Sequence, residues 1–176
     1  MLFRSQINMC DIRYFKRALS LYKTAVREYQ AGQADEYTMN TVAYSLQQVV
    51  ELVLKCHLEF VGVTVPSTHD ISKLVRMCKN NGACITITEW IDDNTEKLTA
   101  WEAQTRYNMD FFVERDKAAK ALKMIKEFLD INYISYEKYP EIESQKDKLL
   151  SLLPKNIQFE QNDLNLYYSL FRKQLK

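Results

Sequence analysis

Glycine and proline are nearly missing from this chain, and where they stand restricts what it can fold into. There are three of each. Gly32, Gly62, Gly82, Pro66, Pro140 and Pro154 all fall between segments whose apolar residues recur at helical spacing. The long intervals between them hold no breaker, and such uninterrupted periodicity marks helices. With 176 residues, 47% of them hydrophobic and 27% charged, the chain can build one ordinary core. The same scarcity excludes enzymes that cradle phosphate in glycine-rich loops. The closest two glycines, Gly62 and Gly82, are 20 positions apart, so neither a Walker loop nor a dinucleotide fingerprint can form.

The first apolar series is Ile12, Phe15, Leu19, Tyr22, Val26 and Tyr29, one face of a helix that Asp11 caps and Gly32 ends. A second and central helix is expected from about Tyr37 to Val61. Val42, Leu46, Val49, Val50, Val53, Leu54 and Phe60 give it a broad apolar stripe, and Gly62 stops it. The run Ser67-Thr68-His69-Asp70 opens a third, short helix carrying Ile71, Leu74, Val75 and Cys78, which ends near Asn80-Asn81-Gly82. Ile85-Thr86-Ile87-Thr88 alternates as a strand does, but it is short and finds no partner strand, so it reads as a connector. One helix is expected from Glu89 through Ile91, Leu98 and Trp101, with a break at Arg106 to Asp110. A fifth follows with Ala118, Leu122, Ile125 and Leu129.

Beyond Ile134 the character changes. Two prolines and a charged run, Glu137 to Lys148, precede an amphipathic pattern of Leu164, Tyr167, Tyr168, Phe171 and Leu175. The expected organisation is a domain over residues 1–134 and a helical extension over 135–176. The fold class is all-α, an up-and-down helical bundle of about five helices with that C-terminal extension.

Lys and Arg number 24 against 23 Asp and Glu, so the whole chain gives no electrostatic case for nucleic acid and any such binding must be local. No apolar run approaches the ~18 residues of a membrane span, and Arg4, Asp11 and Arg13 leave no hydrophobic signal region. Cys10, Cys56, Cys78 and Cys84 form no CxxC pair and read as reduced thiols. A cytoplasmic location without membrane contact follows as the expectation.

Of the two histidines, His57 follows Val53 by four residues and Val50 by seven, on the stripe of the central helix, and reads as a packed, hydrogen-bonded side chain. His69 lies just before a helix start, where unpaired N–H groups attract an anion, though capping or loop-tying is an alternative role. A zinc set of His69, Cys78 and Cys84 matches no structural spacing, and Cys78 belongs to an apolar face, so no metal site is expected. No serine or cysteine sits between the glycines of a nucleophile elbow. Arg115, Lys117, Lys120, Lys123 and Lys126 cover the side opposite Ala118, Leu122 and Ile125. They form either a solvated face or a phosphate track. Arg106 and Tyr107, at a helix break, present a guanidinium fork beside a stacking plane, as a nucleotide requires. The competing reading pairs Arg106 with Glu102, four residues earlier, and puts Tyr107 in the core.

Three segments then resemble, in order, those of the HEPN family (higher eukaryotes and prokaryotes nucleotide-binding). Ala43-Tyr44-Ser45-Leu46-Gln47-Gln48-Val49-Val50-Glu51-Leu52-Val53-Leu54-Lys55 is similar to its second helix, in which a glutamine, a glutamate and a lysine recur. Thr68-His69-Asp70-Ile71-Ser72-Lys73-Leu74 is similar to the Thr-His segment that opens the next helix. Arg106-Tyr107 matches the Arg-Tyr that starts the last segment, and Ala118 to Leu129 the closing helix. The resemblance covers about residues 10 to 134. It implies a small helical bundle that commonly dimerises, in a family of toxin ribonucleases, partners of small nucleotidyltransferases and binding modules without activity.

In the ribonuclease members a histidine follows the arginine after four to six residues. Here Phe111, Phe112 and Val113 hold those positions, and such side chains can neither relay a proton nor stabilise charge. The resemblance therefore implies a cytoplasmic homodimer that binds a nucleotide or an RNA phosphate without cleaving it and without a cofactor. Arg106, Tyr107, His69 and Lys55 are the contacts, with no catalytic residue. The alternatives are a protein-interaction module partnering a nucleotidyltransferase in a toxin–antitoxin-like pair, and a ribonuclease of non-standard site using His69 as general base.

Overall fold

The computed structural model describes residues 2–3, 11–31, 35, 37–135 and 158–159. Among them are six helices and one two-residue ladder. Helix α1, Arg13–Ala31, starts where the Asp11 carboxylate accepts the Arg13 backbone N–H at 3.0 Å and clasps its guanidinium. Phe15, Ala18 and Ala25 form its buried face; the two alanines let it lie close against α2, Thr38–Phe60. Almost every α2 side chain from Met39 to Phe60 is buried, so this helix is the axis of the bundle. Its end is set by Gly62 at φ 73°. Gly62 N–H donates to Glu59 O at 2.9 Å and Val63 N–H to Leu58 O at 3.1 Å, which closes the last carbonyls in a Schellman pattern.

Helix α3, Ile71–Asn80, is capped by Asp70, whose side chain accepts from Lys73 N. Residues Ile85 to Thr88 form no strand. Both backbone groups of Thr86 are bound instead by the buried side chain of Asn132, at 2.8 and 2.9 Å.

One expectation is corrected here. The single helix from Glu89 to the break is two helices, α4, Glu89–Asp93, and α5, Thr95–Tyr107. Asn94 separates them: its side-chain Nδ2 donates to Trp90 O at 2.9 Å while its own N–H reaches Trp90 O and Ile91 O, so the first helix is closed before the second begins. The described residues thus hold six helices, in keeping with the expected bundle of about five. The break after Tyr107 falls where the sequence put it, and α6 runs from Arg115 to Ile131.

Contacts at both ends of the helices fix the directions. Tyr22 OH donates to Leu122 O and Arg115 to Tyr29 O, so α1 and α6 lie antiparallel. Arg106 lies by Tyr44, and the loop after α5 is tied to Asn40, so α5 runs back along α2. Val49, Val50, Val53, Leu122 and Ile125 are buried in one core with Phe15, Leu74, Ile91, Leu98, Trp101 and Phe128. Strands β1, Leu2–Phe3, and β2, Gln158–Phe159, pair antiparallel. The amphipathic helix expected at Leu164 to Leu175, the charged run, Pro140 and Pro154 lie outside the described residues, as does Gly32.

Candidate functional site

The seam between α2 and α5 carries two groups of polar side chains. The first is at the N-terminal end of α2. Arg106, in the last turn of α5, has its guanidinium carbon 4.9 Å from the Tyr107 ring centroid and 5.9 Å from that of Tyr44, one aromatic from each helix. Its Nη1 donates to Glu102 Oε1 at 2.5 Å across one turn of α5. That hydrogen bond, helped by the neighbouring Tyr107, holds the Arg106 pKa above its ordinary value, so the group is a permanent cation. Beside it a cleft of about 200 Å³ is lined by Tyr37, Asn40, Thr41, Tyr44, Thr105 and Arg106.

The rim of this cleft is aromatic and open. Tyr107 is 69% exposed, and Tyr37 and Phe112 are exposed with their rings 5.3 Å apart. Met109 is exposed on the same loop. The loop between α5 and α6 is fixed by Asn40, a buried side chain on α2. Its Nδ2 donates to Phe111 O at 2.7 Å and its Oδ1 accepts Val113 N–H at 2.9 Å. Residues Phe111, Phe112 and Val113 therefore serve as a backbone strap, with Phe112 turned to Tyr37 and Val113 buried.

The second group is seven residues along α2 from Tyr44, about 10 Å at the rise of an α-helix. The Glu51 carboxylate is buried, with 4% of its side chain exposed. Lys55 Nζ donates to Oε1 at 2.8 Å, and Gln47 Nε2 to Oε2 at 3.0 Å. His69 Nδ1 meets Oε2 at 3.0 Å. Gln48 Nε2 bonds Gln47 Oε1 at 2.8 Å. A buried carboxylate costs little only when donors surround it in this way. Lys55 is enclosed by this arrangement, whereas the His69 side chain is 61% exposed, with its ring held by one nitrogen and the other edge outward. The loop is anchored here too, since Ile71 N–H donates to Thr99 Oγ1 of α5 at 2.9 Å.

The four contacts taken from the sequence thus fall into two pairs. Arg106 lines the cleft with the Tyr107 ring beside its guanidinium, and His69 and Lys55 share Glu51. Arg106 does pair with Glu102, as the competing reading had it, yet Tyr107 is outside the core. The sequence reading assigned no role to Asn40, Tyr44, Tyr37 or the hub position of Glu51. The available signal was a polar residue, Asn40 or Glu51, within an otherwise apolar helix.

Elsewhere, His57 is fully buried with Nδ1 2.8 Å from Val53 O, as read from its place on the stripe. Burial pushes the Cys78 thiol up to about 12, and neither Cys78 nor Cys84 forms a disulfide among the described residues. No group of three or more His, Cys, Asp or Glu able to hold a metal forms among the described residues. On α6, Lys117 pairs with Glu114 and Lys126 with Asp130, while Arg115 lies 4.4 Å from the Tyr29 ring centroid. Two of the five bases on this face are thus matched by a carboxylate, and Arg115 keeps its charge over a neutral ring. A larger concavity, about 440 Å³, is lined on α1 by Ser20, Tyr22, Lys23, Val26 and Arg27, away from both polar groups. No described helix is long and apolar enough to cross a membrane.

The family described as HEPN domain matches residues 13–136, more than half of the chain. No curated protein and no solved structure matches it.

Proposed function

We propose, from the premise that this chain belongs to the HEPN domain family, that it binds a nucleotide or an RNA phosphate on the α2–α5 seam without cleaving it. The observation that carries this reading is the Arg106 guanidinium set between the Tyr44 and Tyr107 rings at the mouth of the 200 Å³ cleft. Aromatic faces accept any base, and an arginine fork meets the phosphate that follows it. His69 is the second contact, for a longer ligand, and its exposed ring supports that role. Lys55 supports it through Glu51, because its ammonium is already bound to that carboxylate. The positions where family ribonucleases hold histidine carry Phe111, Phe112 and Val113, which is the reason for proposing binding without cleavage.

Fluorescence anisotropy with a short single-stranded RNA and with AMP tests the reading. Binding is expected, weakened about tenfold in Arg106→Ala, the scale of one charge-assisted contact. Absence of binding at millimolar ligand, or RNA cleavage that Arg106→Ala abolishes, contradicts it.

A second reading is favoured by one specific observation. Tyr37 and Phe112, whose rings meet, and Tyr107 and Met109 at the end of α5 and in the loop after it are exposed large apolar side chains, the composition of a protein interface. On that reading the chain is an interaction module, a homodimer or the partner of a nucleotidyltransferase, and light scattering of the full chain with and without Phe112→Ser decides whether the rim mediates association. A cytoplasmic location belongs to both readings.

A further inference from the structure

The site proposed above has an internal counter-ion. Glu102 lies one turn before Arg106 on the same face of α5, with 15% of its side chain exposed, and its Oε1 takes the Arg106 Nη1 hydrogen. Among the described residues no other group donates to this carboxylate. The cation at the mouth of the cleft and the anion behind it therefore cancel at short range, while the planar guanidinium stays over Tyr107 with 45% of its side chain exposed. The other charges at the cleft do not restore a positive field. Its remaining lining residues, Tyr37, Asn40, Thr41, Tyr44 and Thr105, are uncharged. His69 and Lys55 sit about two helical turns away around the Glu51 carboxylate.

We infer that Glu102 sets the charge response of the cleft, so that a base with a singly charged phosphodiester binds as well as a free nucleoside di- or triphosphate and added phosphate charge brings almost no affinity. The inference rests on the binding reading of the same site. A phosphate that reaches the open edge of Arg106 stands close to the Glu102 carboxylate, and repulsion from that carboxylate grows with each charge the ligand carries. The attraction of Arg106 grows in the same way, so the two offset each other and affinity gains little from added phosphates. Stacking on Tyr44, Tyr107 and the guanidinium plane is left as the main source of affinity, and it is the same for a nucleotide of any charge.

The test is the dependence of affinity on ligand charge. Cyclic AMP, AMP and ATP are titrated by calorimetry or anisotropy competition into the full chain and into Glu102→Gln, in magnesium-free buffer of low, fixed ionic strength. In the native chain the three ligands should agree within about threefold. In Glu102→Gln the affinity for ATP should rise about tenfold while that for cyclic AMP changes about twofold or less. Asp92→Asn, which removes one negative charge from an ion pair with Lys79 on another face, should leave the native pattern in place.

Melting curves verify that Glu102→Gln folds. If it does not, Glu102→Ala removes the same charge. Native affinity that climbs from cyclic AMP to ATP as steeply as in the variant, or a variant with the native pattern, overturns the inference and leaves the binding reading standing. No binding of any of the three ligands to either protein overturns the inference, and the binding reading falls with it when the short RNA is not bound either.

Discussion

Glu51 is the centre of a buried network whose members are unequally dependent on it, and that inequality has a measurable size. Lys55 Nζ has Glu51 as its hydrogen-bond partner among the described residues, and its side chain is 10% exposed. Glu51 receives Gln47, Gln48 and His69 besides Lys55. Replacing Glu51 by Leu leaves a buried ammonium with nothing to meet it and should cost about 3–5 kcal/mol. Replacing Lys55 by Met leaves the carboxylate its remaining donors, so about 1–2 kcal/mol is expected. The double variant removes the stranded charge along with its partner. Its loss should stay near that of Lys55→Met alone, giving a coupling equal in size to the Glu51→Leu loss, about 3–5 kcal/mol. Urea unfolding followed by circular dichroism at pH 7 measures all four proteins. Losses that add to within about 0.5 kcal/mol would refute the hub account, as would a Lys55→Met loss larger than that of Glu51→Leu.

Two further outcomes follow from other parts of the fold. Asn40→Ala leaves Phe111 O and the buried Val113 N–H unpaired and should lower unfolding free energy by about 2–4 kcal/mol, while also weakening any ligand that uses Tyr107. An Asn40→Ala protein as stable as the native one in urea would show that the strap needs no anchor. Glu59 has its pKa raised, first by burial, with the N–H of Asp11 at 2.6 Å acting the other way. A raised carboxyl favours the folded state below the ordinary carboxylate range and loses that contribution as pH rises through the folded value. Glu59→Gln keeps an acceptor for Asp11 and removes the poorly solvated charge. It should melt higher than the native chain at pH 7 and no higher at pH 4, and an advantage that instead grows toward pH 4 would contradict the cause assigned.

The elements were legible because each helix carries its own apolar period and its own stop. Gly62 and Gly82 close α2 and α3 through hydrogen bonds made within a few residues, which is local information. The break at Asn94 was hidden by phase. Ile91 and Leu98 are seven residues apart and both buried, so the stripe continues across the interruption as though the helix did. Only the hydrogen bonds of Asn94 to Trp90 and Ile91 separate α4 from α5.

At the site, Arg106 and Tyr107 could be read from their place at a helix end. Tyr44 and Tyr37 approach them from α2, more than 60 positions earlier, and nothing periodic links such distant residues. The place of His69 before a helix start suggests an anion from outside the chain, whereas the contact its ring makes here is with an acidic group from within the fold. That group is the carboxylate of Glu51, 18 residues before His69 and buried under the loop that carries it. The Glu51–Lys55 pair has the i,i+4 spacing of an ordinary surface ion pair, and spacing says nothing of burial.

The central claim is that ligand stacks in the cleft at the N-terminal end of α2, and an amide-resolved NMR titration of the full chain with AMP and with a short single-stranded RNA tests it most directly. Perturbed resonances should map to Thr41, Tyr44, Thr105, Arg106 and Tyr107, extend to His69 only for the RNA, and vanish in Arg106→Ala. Shifts confined to α1 or to the basic face of α6, or a spectrum unchanged at millimolar ligand, would contradict the account.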